Sequence, residues 1–199
     1  MESKKSISKV VIISIVFIIL FVVAVIAGAF YIQNNKPQII EQETLEGGSI
    51  TLTYTDEENL FVIENGVPTA DLVGMAYDSA DKYFDFTIKT LLDDADYIEY
   101  EIVLVKDEDI STTLDDNVKV YLEKEDRGTY TKVGEPLVFT SNVKDKKIGD
   151  NVMSIYKFKK NSSGNDNYRL RMWISETANI TPDQIQNYGV KVKIIGNAK

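Results

Sequence analysis

The chain has 199 residues, carries 31 acidic against 22 basic side chains for a net charge of −9, and contains neither His nor Cys. The acidic excess argues against nucleic acid as a partner, because such binding depends on clustered Lys and Arg that neutralise phosphates. Without His or Cys the chain cannot form a Ser-His or Cys-His nucleophile pair, a typical zinc site or a disulfide. We therefore predict a protein that is not an enzyme, with a hydrolase built on carboxylates or Lys as the less favoured alternative.

A long apolar segment follows the first nine residues. From Val10 to Ile32 it holds 23 residues without a charge, and a helix of that length is about 35 Å long at about 1.5 Å per residue. The hydrocarbon core of a bilayer is about 30 Å thick, so the segment predicts one transmembrane helix. Lys4, Lys5 and Lys9 precede it. The positive-inside rule then places the N-terminus in the cytoplasm and the remainder outside the cell.

A secretory signal peptide is the alternative interpretation of the same segment. Ala27, Gly28 and Ala29 are small residues of the kind that signal peptidase accepts, and cleavage after Ala29 would release a secreted protein. The apolar regions of signal peptides are about 7 to 15 residues long. The greater length found here favours an uncleaved signal anchor.

The apolar segment divides the chain into four predicted parts. Residues 1–9 form a cytoplasmic tail and residues 10–32 the transmembrane signal anchor. Residues 33–48 are polar, contain Pro37 and end on two glycines, which indicates a short stalk. Residues 49–199 then form one extracytoplasmic domain.

Short β-rich segments with turn residues between them fill the predicted domain. Their content of Val, Ile, Tyr, Phe and Thr and their period-2 alternation are typical of half-buried strands. A capping pattern in Thr181–Gly189, "TPDQIQNYG", predicts one short helical turn. The fold class predicted is all-β, an antiparallel β-sandwich of jelly-roll or immunoglobulin-like type, with a β-barrel as the alternative. The predicted strands are 49–54, 59–64, 82–89, 97–105, 118–124, 129–133, 136–139, 153–160, 167–175 and 189–195.

Acidic residues cluster at the predicted ends of strands. Carboxylates that converge there could bind a hard cation such as calcium, although none of the clusters has the spacing of a calcium-binding loop. No other cofactor is expected. The candidate calcium ligands are Asp93, Asp94, Asp96, Asp107 and Asp109.

The segment "DNYRLRMWIS" contains the single Trp of the chain. Period-2 alternation puts Tyr168, Leu170, Met172 and Ile174 on the inner face of a strand and Arg169, Arg171 and Trp173 on its outer face. The outer row has two interpretations. It is either a binding surface, since Trp and Arg are enriched at binding hot spots, or a structural face whose Arg residues pair with Glu99 and Glu101 on a neighbouring strand.

Three segments carry a resemblance to known proteins: "YFDFTIKTLLDDADYIEYEIVLVKD", "VKVYLEKEDRGTY" and "YRLRMWISE". With the Lys-flanked anchor and the Cys-free β domain, the chain resembles small membrane-anchored surface β-sandwich proteins of unknown function from low-GC Gram-positive bacteria. Residues 80–105 are more distantly similar to the TasA and camelysin group, exported jelly-roll proteins of biofilm matrix. The resemblance implies a surface location, and the distant one implies subunits of a matrix.

These observations predict a single-pass cell-membrane protein whose extracellular domain is a binding or structural module at the cell envelope. The expected partners are the membrane, through residues 10–32, and an envelope protein or glycan. The alternative is a TasA-like matrix or filament subunit that self-associates through an exposed strand edge.

Overall fold

The computed structural model of the chain describes residues 38–54, 59–79, 82–145, 148–181 and 185–199. They belong to one compact unit, Gln38–Lys199. The predicted tail 1–9, the apolar segment 10–32 and the cleavage site after Ala29 lie outside the described residues, as do positions 182–184 of the predicted helical turn. Within the described ranges, no helix is long and apolar enough to cross a membrane.

The described residues form thirteen strands, a four-residue helix α1 (Asp71–Gly74) and a 3-10 turn at Asp115–Asn117. All ten predicted strand segments overlap an observed strand, and three further strands, the first, fourth and tenth, were not predicted. In chain order the strands are β1 (Gln38–Leu45), β2 (Gly48–Tyr54), β3 (Leu60–Ile63), β4 (Pro68–Thr69), β5 (Tyr83–Leu92), β6 (Ile98–Asp107), β7 (Val118–Asp126), β8 (Thr129–Lys132), β9 (Leu137–Val138), β10 (Val143–Asp145), β11 (Gly149–Lys160), β12 (Gly164–Ser175) and β13 (Tyr188–Ala198).

The strands form two sheets. The large sheet has the order β1-β2-β5-β12-β7-β8, with β4 added to β12 and β9 added to β7, and the small sheet has the order β10-β11-β6-β13-β3. The pairings are antiparallel except for that of β4 with β12. Neither sheet closes on itself. The all-β prediction is confirmed in a form consistent with a β-sandwich, and the β-barrel alternative is wrong.

Side chains from both sheets meet in one apolar core. Ile102 and Leu104 of β6, in the small sheet, are 0% exposed. Burying one such side chain contributes about 1.5 to 3 kcal/mol, so the contact between the sheets is the main source of stability. The predicted inner row of β12 is confirmed, because its side chains are at most 2% exposed: Tyr168, Leu170, Met172 and Ile174.

The domain begins earlier than predicted. Gln38–Leu45, inside the predicted stalk, forms β1 and pairs with β2 from Gln38 opposite Tyr54 to Leu45 opposite Gly48. The connecting turn uses Gly47 at a φ of +86°, which glycine adopts without steric cost. An edge strand faces water along one side, so its polar sequence looks like that of a linker. This is why the alternation alone did not separate β1 from a stalk.

Strand registers and loop contacts define two opposite ends of the domain. At the first, which we call the Trp173 end, lie α1, the connection from β6 to β7 and the residues before β13. Backbone hydrogen bonds join the residues before β13 to the β3–β4 loop, where Gly66 N–H donates to Gln186 O at 2.7 Å, and to the β6–β7 connection, where Thr112 N–H donates to Asn187 O at 2.9 Å.

The second end, which we call the Gly47 end, holds the β1–β2 turn, the β5–β6 loop and the C-terminus. Gly47 O accepts the N–H of Asp93 at 3.0 Å, and Tyr97 N–H donates to Lys199 O at 3.0 Å. Strand β1 begins opposite Tyr54 and runs to the Gly47 end, so Gln38 is the residue of β1 that lies farthest from that end.

Candidate binding surfaces

Trp173 lies on the outer face of the large sheet but is covered. It is 1% exposed because α1 packs on its ring so closely that a Cβ at Gly74 would overlap the ring atoms. Its indole Nε1–H donates to Asp71 Oδ1 at 3.3 Å, and Lys119 Nζ lies 2.8 Å from the same carboxylate. The side of the sheet on which Trp173 lies was assigned correctly, and the covering helix was missed.

Arg171 is covered by the same crossing segment. The residue is 6% exposed. Its guanidinium donates from Nε to Tyr77 O at 2.7 Å and forms an ion pair with Glu123 on β7. Burial lowers the pKa of Arg171, since removal from water disfavours the charged form. Through these two contacts, Arg171 links the sheet to the segment that covers it.

Arg169 is the third member of the row and is partly open to solvent. It donates from Nε and from one terminal nitrogen to the two oxygens of Asp85, both at 2.7 Å. Its guanidinium carbon lies 3.7 Å from the ring centroid of Tyr83 and 4.2 Å from that of Tyr130. The hydrogen bonds to Asp85 raise the pKa of Arg169. The charge of Arg169 is therefore paired with Asp85, and its guanidinium group also contacts the rings of Tyr83 and Tyr130.

The proposed pairing of these Arg residues with Glu99 and Glu101 is wrong. Strand β12 has β5 and β7 as neighbours, whereas both glutamates lie on β6 in the small sheet. Alternation along a strand predicts which face of the sheet a side chain lies on, but it does not predict which strands are the neighbours of that strand. The binding role of Arg169, Arg171 and Trp173 stays a prediction, and in this structure it would be limited to the exposed part of Arg169.

The five candidate calcium ligands do not form one site. Asp93, Asp94 and Asp96 lie in the loop before β6, at the Gly47 end. Asp107 is the last of the ten residues of β6 and Asp109 follows the strand, at the Trp173 end. A strand of that length spans about 33 Å. Among the described residues, no three acidic side chains are placed to hold a metal ion together.

Asp107 has a different partner from the predicted metal. Its carboxylate lies 2.8 Å from Lys191 Nζ on the neighbouring strand β13, and its Oδ1 accepts the N–H of Asp109 at 3.2 Å. The hydrogen bond from Lys191 lowers the pKa of Asp107. The ion pair of this carboxylate with Lys191 joins β6 to β13 at the end of the small sheet.

A buried polar cluster joins the two sheets near the Gly47 end. Tyr100 and Tyr168 place their hydroxyl oxygens 2.7 Å apart, and Tyr100 O–H donates to Asp166 Oδ2 at 3.3 Å. Lys124 and Lys160 place their Nζ atoms 2.9 and 2.8 Å from the Asp166 carboxylate. Asp166 continues the inner row of β12 by period 2, so the alternation could have identified it as buried. It was missed because the row was begun at Tyr168.

The charges of this cluster compensate one another. Burial raises the pKa of Asp166, but the hydrogen bonds from Lys160 and Lys124 outweigh burial and hold the pKa below its usual range. Burial also raises the pKa of Tyr100 and Tyr168, so both phenols are neutral at physiological pH. The cluster is fully partnered and stabilises the contact between the sheets.

The outer face of the small sheet is concave beside the Gly47 end. A trough of about 400 Å³ crosses β11, β6 and β13 beside the Gly47 end. This volume falls within the range of about 300 to 1,000 Å³ that is usual for ligand sites. The residues that line it are Glu99, Tyr100, Glu101, Lys157, Phe158, Lys159, Ile195, Gly196 and Asn197.

Exposed ion pairs surround the trough. Lys157 Nζ lies 2.6 Å from Glu101 Oε1 and the lysine side chain is 74% exposed, while Lys199 Nζ lies 3.1 Å from Glu99. Lys159 Nζ stands 3.4 Å from the centre of the Tyr97 ring. The trough therefore presents charged donors and acceptors that water can reach. It is the described surface best suited to a polar ligand.

A second, apolar cleft of about 180 Å³ lies between β7 and β11 at the side of the sandwich. Leu137 and Tyr156 at its rim are each 41% exposed. On this side of β11 the described pairing with β10 ends at Val152, and the Asn142 side chain accepts the N–H of Ser154 at 2.7 Å. In the described part of the chain, no strand pairs with β11 from Tyr156 onward on this side, which leaves an open backbone edge beside apolar side chains.

Comparisons with known proteins assign no relative to this chain. No protein-family model matches it, and a search of curated proteins finds no match. The resemblance to anchored surface proteins and to the TasA and camelysin group stays a prediction.

Proposed function

We propose that the chain is a membrane-tethered, non-catalytic module on the outer side of the cell membrane, which binds an envelope glycan through the trough of the small sheet. The trough carries this proposal, because it is a concave surface of about 400 Å³ lined by charged and amide side chains, including Glu101, Lys157 and Asn197. Within the sandwich class, the jelly-roll or immunoglobulin-like type stays a prediction.

The chemistry of the trough suits a ligand rich in hydroxyl groups. Glu101 and Asn197 offer acceptors, and Lys157 offers donors. Exposed ion pairs contribute only about 0 to 1 kcal/mol each, so a ligand can replace them at little cost. Ile195, which is half-buried in the same trough, supplies an apolar surface for the face of a sugar ring.

Binding is tested with purified cell-wall sacculi of a Gram-positive bacterium as the probe, by co-sedimentation with residues 38–199. We expect the double variant K157E/K159E to bind about tenfold less than the wild type, because two donors become acceptors at the rim. K89E is the matched control, since Lys89 is exposed on the outer face of the large sheet. Equal binding by all three forms, or no binding by the wild type, would contradict the proposal.

The location is tested separately on intact cells that express the full chain with a C-terminal epitope. External protease should remove the epitope while a cytoplasmic marker protein survives. An epitope that becomes accessible only after lysis would contradict the proposed orientation. Sequencing the N-terminus of the mature protein distinguishes the anchored form from one released after Ala29.

A matrix or filament subunit is the second candidate, and the open edge of β11 favours it. A strand from another copy could pair with β11 from Tyr156 onward and place apolar side chains in the adjacent cleft. Size-exclusion chromatography of residues 38–199 separates the two candidates, since ladders of oligomers support the subunit and a monomer supports the tethered module. Y156K should dissolve such ladders if the edge forms them, whereas K89E should leave them intact.

A further inference from the structure

A small cavity lies at the Trp173 end and is lined by residues of both sheets. Phe61 and Ile63 of β3 belong to the small sheet, whereas Met172 and Ile174 of β12 belong to the large sheet. The connection from β3 to β4 completes the lining, and the volume is about 160 Å³. Phe61, Met172 and Ile174 are at most 6% exposed, so these walls belong to the apolar core. The cavity is separate from the trough, which lies beside the Gly47 end.

Backbone contacts hold the connection from β3 to β4 beside this cavity. Gly66 N–H donates to Gln186 O at 2.7 Å, and β4 pairs with β12. A Cβ at Gly66 would lie 2.7 Å from side-chain atoms of both Ile63 and Ile174, so the backbone can approach these walls only at a glycine. These contacts fix one side of the cavity, which lowers the ordering cost of binding.

The size and the walls of the cavity suit one aromatic ring. Sites for drug-sized ligands measure about 300 to 1,000 Å³, which is larger. An apolar cavity of about 150 Å³ accepts benzene. Phe61 offers an aromatic surface, and the thioether of Met172 is a group that makes favourable contacts with aromatic rings. A sugar ring fits such walls poorly, because each of its hydroxyl groups would need a hydrogen-bond partner.

Two hydroxyl groups on the lining define what the ring must carry. The oxygens of Thr69 and Tyr77 lie 3.2 Å apart, and Thr69 O–H donates to Val67 O at 2.9 Å. A hydroxyl group has one hydrogen. Since that of Thr69 goes to Val67, the hydrogen between the two oxygens comes from Tyr77. The pair then has only lone pairs left, so it presents acceptors to a ligand.

The remaining polar side chains of the lining are compatible with a hydroxyl group on the ring. Glu64 and Asn65 are exposed, so they keep their contact with water. Lys82 is half-buried and carries an ammonium group, which is a donor. A phenolic hydroxyl both donates and accepts. It therefore suits a lining that holds acceptors and an ammonium group.

We infer that this cavity binds a small phenol, which is a single aromatic ring with a hydroxyl group. The ring lies between Phe61 and Met172, and its hydroxyl group donates to the oxygen of Thr69 or Tyr77. This site goes beyond the proposed function, since it takes a ligand of another chemical class at the opposite end of the domain from the trough.

The single Trp of the chain permits a direct test, because Trp173 also lines the cavity. Residues 38–199 form one compact unit with its own core, so this fragment is used with isotope labels. Phenol itself is the probe, and its binding is followed by NMR through the indole N–H resonance of Trp173. We expect a saturable shift of this resonance at millimolar phenol. Toluene, which keeps the ring but lacks the hydroxyl group, is titrated in parallel.

The double variant T69V/Y77F removes both hydroxyl groups and nearly keeps the size of the side chains. We expect it to bind phenol about fivefold more weakly than the wild type and toluene within about twofold, because only phenol loses a hydrogen bond. T131V/Y130F is the matched control, since it makes the same chemical changes on β8, outside the cavity. It should leave both affinities unchanged.

Each other outcome overturns the inference. A wild type without a saturable phenol shift would show that the cavity holds water only, and this result does not depend on the variants. Equal losses of phenol and toluene affinity in T69V/Y77F would show that the hydroxyl groups shape the cavity without recognising a donor. Shifts confined to the cleft beside Tyr156 would place phenol elsewhere. K157E/K159E should bind phenol as the wild type does, so a failure of the glycan proposal is seen separately.

Discussion

The outer faces of the two sheets carry similar residues in opposite surroundings. On the large sheet, Arg171 and Glu123 have side chains only 8% and 13% exposed, and the segment that leads from β4 through α1 reaches Arg171 at Tyr77 O. On the small sheet, Lys157 pairs with Glu101 but is 74% exposed. Charged rows with period-2 spacing are thus compatible with two roles. A crossing segment makes one row part of the structure, whereas the other row keeps an exposed lysine, Lys157, that a ligand could contact.

Burial of a charged side chain changes which groups must satisfy its hydrogen bonds. A buried cation loses its hydration, so every donor of Arg171 needs a protein acceptor such as Tyr77 O. An exposed pair keeps its water and contributes little to stability. Substitutions on the large-sheet face should therefore affect stability, whereas those on the small-sheet face should affect binding.

The largest effect is expected for Trp173→Ala, which removes the ring on which α1 packs. Loss of a buried aromatic side chain costs about 3 to 5 kcal/mol of unfolding free energy. Urea denaturation of residues 38–199 measures it, and Leu91→Ala, at a position 50% exposed, is the control with an expected change of about 0.5 kcal/mol or less. Similar losses in the two variants would show that the covering segment does not hold the ring.

A smaller loss is expected for Gly74→Ala, which tests the cover from its other side. The new methyl group would overlap the Trp173 ring, and overpacking of this kind costs about 1 to 3 kcal/mol. Gly134→Ala is the matched control, since nothing lies within 4 Å of a Cβ at that position. The two free energies of unfolding should differ in the same denaturation experiment. If Gly74→Ala is neutral, α1 can move away from the sheet without cost.

The contrast between the two faces marks the limit of prediction from the sequence. Alternation correctly placed Leu170 and Met172 inside and Trp173 on the opposite side of β12, because the backbone geometry of a strand imposes period 2. Alternation did not predict that α1 covers Trp173. Helix α1 has only four residues, too few for a helical period, and its burial depends on contacts with residues distant in sequence.

Partners across a sheet are equally invisible to local patterns. Arg169 meets Asp85, which lies 84 positions away, and a single sequence contains no signal that favours Asp85 over Glu101. The trough likewise arises from three strands whose adjacency only the folded chain defines. Strand β1 shows the converse case, since a polar edge strand has the composition of a linker and is recognised only through its pairing with β2.

The ion pairs of the two faces allow a direct comparison. Arg169→Ala removes a bidentate pair with Asp85 in which the side chains are 18% and 34% exposed, and we expect a loss of about 1 to 2 kcal/mol. Lys157→Ala removes the single contact with Glu101 and should change stability by about 0.5 kcal/mol or less. Thermal or urea unfolding of both variants provides the measurement. Equal losses would mean that solvent exposure does not distinguish the two faces.

The most pH-specific effect belongs to Asp166, a carboxylate covered by both sheets. Lys160 and Lys124 hold its pKa below the value of about 3.9 that an unfolded chain has, so the folded state binds this proton more weakly than the unfolded state. The resulting stability is fully present above the unfolded pKa and is lost as the pH falls through the folded one. Wild-type unfolding free energy, measured between pH 6 and pH 2.5, should therefore fall more steeply below about pH 4 than that of Asp166→Asn, by at most about 1.4 kcal/mol per pH unit for one proton. Asp107, whose pKa is also lowered, is present in both proteins and cancels in the difference. Parallel curves would show that Asp166 does not take part in acid unfolding and that the two lysines do not stabilise its charge.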